Sequence, residues 1–111
     1  MKQGQLILLD ALELTNKISS SRENFVVSEV DDYVVRLVVF QTDFHWHHHS
    51  KGDEMFYVIS GKLFIDLEDR TIEVGPHQMF TVPKMTRHRT RSTERTLLLN
   101  FESKENDVMG S

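Results

Sequence analysis

The chain has 111 residues, 39% hydrophobic and 27% charged, which suits one globular domain with a modest core. A formal net charge of -4 argues against wrapping nucleic acid, which needs a positive surface. Cysteine is absent, so no disulfide and no thiolate chemistry is available, and no apolar run approaches the ~18 residues of a membrane helix.

The start, Met1 to Leu9, carries one lysine and a short apolar run, Leu6 to Leu9, too short for the core of a secretion signal. The protein therefore reads as cytoplasmic, with neither membrane nor nucleic acid as a partner. Leu9 to Ser21 reads either as a short helix or as a strand and loop. In the helical reading Asp10 is the cap, and Leu9, Leu12 and Ile18 share one face.

From Phe25 onward the pattern is that of strands. Val34 to Phe40 is rich in β-branched residues, and Met55 to Ser60 is apolar and aromatic. Gly61 marks a turn or bulge. Lys62 to Glu68 alternates, with Leu63, Ile65 and Leu67 on one face and Asp66 and Glu68 on the other. A turn at Glu68-Asp69-Arg70 leads into Thr71 to Val74, and Gly75-Pro76 leads into Met79 to Val82. Thr86 to Ser92 alternates again, and Thr96 to Phe101 is the last strand. About eight short strands separated by turns predict an antiparallel sandwich or barrel with room for one ligand.

Six histidines occupy positions 45, 47, 48, 49, 77 and 88. Side chains alternate along a strand, so His47 and His49 share a face, and His45 joins them if the strand is regular. Trp46 and His48 then point the other way, to packing or a subunit contact. Glu54 follows after Ser50-Lys51-Gly52-Asp53, a stretch able to turn the chain back to the same site. Imidazole nitrogen and carboxylate oxygen suit Zn, Fe, Mn, Ni or Cu, and nothing in this donor set selects among them. In Thr86 to Ser92 the even positions carry Thr86, His88, Thr90 and Ser92, which suits a wet cavity. The odd ones carry Arg87, Arg89 and Arg91, which belong on a solvated outer face, a dimer contact or the mouth of an anion site. Phe56 and Val58 share the parity of Glu54 and should line the interior, with Tyr57 outside. His77 in its turn should be exposed; Arg36, Gln41 and Phe101 have no fixed direction.

These residues resemble a known family. The run His47-x-His49-x4-Glu54-x6-Gly61 looks like the first conserved motif of the cupin superfamily, and Gly75-x7-Pro83-x-Met85-x2-His88 looks like the second. The likeness covers roughly Val34 to Phe101 and points to the small single-domain cupins. Three positions depart from the pattern: Gln41 and Met85 stand where glycines are usual, and Ser92 stands where asparagine is. Methionine in place of glycine predicts a turn that needs no positive φ.

The resemblance implies an all-β fold, a double-stranded antiparallel β-barrel of jelly-roll type over residues 25–101. Residues 1–24 would pack on it as an extension, and 102–111 would form a flexible tail. It implies a divalent transition metal held by His47, His49, Glu54 and His88, with positions left open for substrate. It also implies a homodimer, for which the open edge strands of a small barrel give a physical reason. On this basis the expected function is a metal-dependent enzyme acting on a small polar metabolite by oxygenation, isomerisation or decarboxylation, with Glu54 doubling as catalytic base. The alternatives are a non-catalytic module that binds or senses a small molecule through the same metal, and a purely structural metal.

Overall fold

The computed structural model describes residues 6–106 and Gly110. It contains one helix, α1 (Ala11–Asn16), and eight strands: β1 (Glu23–Val30), β2 (Tyr33–Phe40), β3 (Glu54–Ser60), β4 (Leu63–Leu67), β5 (Thr71–Val74), β6 (Met79–Val82), β7 (His88–Arg91) and β8 (Thr96–Ser103). They form two antiparallel sheets, ordered β1-β2-β8-β3-β6 and β5-β4-β7. The sheets face each other as a jelly-roll, without hydrogen bonds closing them into one continuous barrel. Among the described residues no helix is long and apolar enough to cross a membrane.

Alternation decides what each sheet buries. From β2, β3 and β8, Phe40, Phe56, Val58 and Leu98 point between the sheets and meet Leu63, Ile65, Val74 and Val82. The residues of opposite parity, Leu37, Val39 and Leu97, point outward and are covered by Ala11, Leu14 and Ile18. The helix is thus the lid of a second small core. Asp10 caps it, accepting from the Glu13 N–H at 3.0 Å. The face it buries is Ala11, Leu14, Thr15 and Ile18, whereas Leu12 stays 55% exposed. Of the expected Leu9, Leu12 and Ile18 face, Ile18 turns inward, whereas Leu9 and Leu12 are exposed. Thr15 can turn inward because its hydroxyl bonds the carbonyls of Ala11 and Leu12 at 3.0 and 2.9 Å.

Turn chemistry gives one confirmation and one correction. Gly61 lies at φ 86° between β3 and β4, and a Cβ there would come within 2.8 Å of the Arg95 carbonyl and the Thr96 Cα, so only glycine fits. Met85, however, adopts φ 68°, the left-handed conformation expected to be dispensable once glycine was absent. The turn keeps its shape because Thr86 N–H bonds the Pro83 carbonyl at 3.2 Å and Met85 N–H bonds the His49 carbonyl at 2.7 Å.

The outer face of the smaller sheet carries the arginines. Asp66 is only 6% exposed there, because Arg89 and Arg91 each donate to it at 2.8 Å and the Thr71 hydroxyl at 2.6 Å. Trp46 lies under the guanidinium groups of Arg87 and Arg89, each 5.6 Å from its ring centre. This face is an internally satisfied charge cluster.

Candidate metal centre

The stretch between β2 and β3 runs beside β7 without being a regular strand. It makes isolated antiparallel bridges, Asp43 to Arg91 and His47 to His88. Four steps on one side thus oppose three on the other, so one residue bulges. The bulge breaks the parity that would have aligned His45 with the others. His45 is exposed, and its carbonyl accepts from His47 Nδ1 at 2.8 Å. After the bulge, parity resumes, and His47 and His49 both point inward and are buried.

His88 comes from β7, directly across from His47, with paired backbone bonds of 2.9 Å in each direction. Glu54 opens β3 in the other sheet. The site therefore straddles both sheets. Nε2 of His49 and Nε2 of His88 each lie 3.2 Å from Glu54 Oε1. One donor atom from each of His47, His49, Glu54 and His88 falls within 4.8 Å of the rest. Metal bonds of ~2.0–2.2 Å would set donors on one ion roughly 3–4 Å apart, so the cluster is of the right size.

Tautomer logic makes the fit stronger. His47 Nδ1 and His88 Nδ1 face the backbone oxygens of His45 and Thr86 at 2.8 and 2.9 Å, and can only donate to them. In the neutral rings the Nε2 atoms are then bare acceptors, and that of His88 lies 3.2 Å from a Glu54 oxygen that is also an acceptor. Burial lowers His47 to a pKa of about 4, so it does not supply the missing proton near neutral pH. A cation among these lone pairs resolves their mutual repulsion.

Two further residues complete the site. Asn100 on β8 donates to Glu54 Oε2 at 3.1 Å and to the Met55 carbonyl at 3.2 Å. Glu102, also on β8, is paired directly opposite Glu54 in the β3–β8 register and is 2% exposed. Burial and the facing Glu54 carboxylate push Glu102 up to about 7, against the pull of His49 and Arg36. Arg36 Nε donates to Glu102 at 3.1 Å. Glu54 itself goes the other way: burial would raise it, but the hydrogen bonds it accepts from His49 and His88 whenever those rings carry a proton on Nε2 hold it down at about 2.

Neither Asn100 nor Glu102 was singled out from sequence. A signal existed: both sit on the buried parity of an otherwise apolar strand. Of the residues with no expected direction, Arg36 reaches the site through Glu102, Gln41 is exposed, and Phe101 stacks on Tyr33 with ring centres 5.5 Å apart. His77 is exposed in its turn, 3.2 Å from the Tyr57 hydroxyl. Phe56 and Val58 are buried on the Glu54 face as expected.

A cavity of about 140 Å³ opens beside the cluster, with His47, Glu54, Asn100 and Glu102 on one wall.

A small jelly-roll with a histidine–carboxylate cluster able to hold a metal is the class that fold and site define. The chain belongs to the cupin family: the model of the Cupin_2 family, described as Cupin domain, matches residues 33–100. A curated relative, the uncharacterized protein YdbB of Bacillus subtilis (strain 168), is 40% identical over 99 residues, 88% of each chain. Among solved structures, a cupin-2 domain containing protein from Shewanella frigidimarina is 26% identical with a TM-score of 0.83, over 87% of this chain and 95% of that one. Protein NMB1881 from Neisseria meningitidis shares the fold at 21% identity and a TM-score of 0.78, over 88% and 100% of the respective chains.

Proposed function

We propose that this cupin is a metal-dependent enzyme acting on a small metabolite, by an oxygenase, isomerase or decarboxylase type of reaction. The observation that carries the reading is the convergence of three imidazoles and one carboxylate in one cluster, of which His47 and Glu54 reach a cavity also lined by Asn100 and Glu102. A bound divalent ion would supply Lewis-acid or redox chemistry there. His47, His49, His88 and Glu54 would hold it, and Glu54 would also face the substrate as a carboxylate base. Asn100 orients Glu54, and Arg36 fixes the Glu102 carboxyl at the cavity wall.

The test is elemental analysis of protein purified without a polyhistidine tag, followed by turnover assays on a small-molecule library. We expect about one transition-metal equivalent per chain and metal-dependent turnover that is lost in a folded His49→Ala variant. Turnover unaffected by metal removal would sink the enzyme reading. Tight ligand binding with metal but no chemical change would favour a sensing module.

The same reading includes a homodimer. Its support is the exposed apolar run Leu6, Ile7, Leu8 and Leu9, followed by Leu12 on the outer side of α1. Sedimentation equilibrium tests it, and a monomer at micromolar concentration would remove it.

A further inference from the structure

The cavity beside the cluster is two-faced. Its polar part is His47 and Glu54 of the cluster with Asn100 and Glu102. Thr90, Asn24 and Val39 also line it, and the bulk of the apolar part is Val38, Phe40, Phe44, Phe56, Leu63 and Leu98. Three of these six are aromatic, and they come from β2, β3, β4, β8 and the segment before the histidines. No other titratable side chain lies deep in this part: Arg22 and Glu23 sit at the exposed rim, with the Arg22 guanidinium 5.5 Å from the Phe44 ring centre.

We propose that the ligand of this site is a small molecule with an oxygen-donor head and a compact apolar body of about the size of a benzene ring. The proposal rests on the metal reading above and narrows it. An interior of about 140 Å³ is close to the ~150 Å³ of an engineered apolar cavity, in another protein, that takes up benzene. A sugar-like molecule, with hydroxyls all round, would leave most of them unpaired against phenylalanine and leucine, each at a desolvation cost. A molecule polar only at one end satisfies both walls. The head meets the metal and the Asn100–Glu102 wall, and the body displaces poorly held water from the apolar part. The Arg22 and Glu23 rim is exposed and leaves the interior apolar.

Two hydroxamates separate the head from the body. Acetohydroxamate and benzohydroxamate share one metal-binding head and differ in a methyl against a phenyl body. Their affinities are to be measured by calorimetry on protein loaded with Co²⁺ and freed of excess ion. Benzohydroxamate is expected to bind at least ten-fold more tightly. Val38→Phe, which fills the apolar part from β2, is expected to reduce that preference to under three-fold while leaving acetohydroxamate binding in place. Leu98→Phe fills the same space from β8 and serves if the first variant does not fold. Equal affinities in the Co²⁺-loaded protein, no binding of either probe to it, or a preference that survives a folded filling variant would overturn this inference alone. Failure of Co²⁺ to bind would overturn the metal reading beneath it.

Discussion

Asn100 and Glu54 stand 46 residues apart in the chain, yet the Asn100 amide donates to Glu54 Oε2 at 3.1 Å. Its second contact, to the Met55 carbonyl at 3.2 Å, locks the amide plane. With Oε2 engaged, Oε1 is the oxygen that faces His49 and His88, at 3.2 Å from each. Asn100 thereby decides which carboxylate oxygen is offered to a metal. Partners of this kind contribute about 10–100-fold to metal affinity. Asn100→Ala is expected to weaken metal binding within that range in chelator competition. Its metal-free melting temperature should fall far less than that loss would imply. Affinity equal to that of the parent protein would show that Asn100 has no such role.

Asp66 sets an acid limit on stability from the face of the small sheet opposite the His88 side chain. The Arg91 guanidinium holds its carboxyl well below the usual carboxylate range. Burial opposes this, and the Thr71 hydroxyl and Arg89 add to it. The native carboxyl therefore takes up its proton at lower pH than the unfolded chain, whose reference value is 3.8. In acid the unfolded state binds more protons, so stability falls as pH falls. The contribution is fully present above the unfolded value and is lost on descending through the lower native one. Asp66→Asn is expected to cost about 1–3 kcal/mol near neutral pH, because both arginines lose their charge partner. The gap between variant and parent should then narrow progressively below about pH 4, as the parent loses the same contribution on the way down to the lower native value. Urea unfolding across that range reads both. A gap that stays constant with pH would contradict the ion-pair account.

Met85 holds φ at 68° with its side chain 62% exposed. A left-handed conformation costs an L-residue about 1–2 kcal/mol. Glycine removes that cost but gives the unfolded chain extra freedom of roughly 0.5–1 kcal/mol. Met85→Gly is therefore expected to stabilise the protein by about 0.5–1 kcal/mol, seen as a higher melting temperature with metal affinity unchanged. Loss of stability would mean that the Met85 side chain contributes packing that its exposure does not reveal.

The strands and the four clustered residues were legible in the sequence because both rest on short-range regularities. Alternation with a period of two marked β4 and β7, and His47, His49 and Glu54 lie within eight residues of chain. His88 was legible for the same reason, as the one imidazole on the buried parity of its strand. The helix cap at Asp10 was legible too, but not the helix face, because Leu12 and Leu14 are equally apolar and only the position of Leu37 and Val39 decides which turns inward.

What only the tertiary structure decided depends on register between distant strands. The β3–β8 pairing puts Glu54 opposite Glu102 and Phe56 opposite Asn100, and this turns two polar residues of β8 into parts of the site. The unequal spacing of the bridges at Asp43 and His47 excludes His45, which local parity had included. Met85 takes a strained conformation because its N–H is held by the His49 carbonyl across the site. The three histidines and one glutamate were thus determined by the sequence alone. Which carboxylate oxygen faces them, and the apolar cavity they look into, were decided by strands meeting across the fold, since residues far apart in the chain acquire a common environment only when register brings them together.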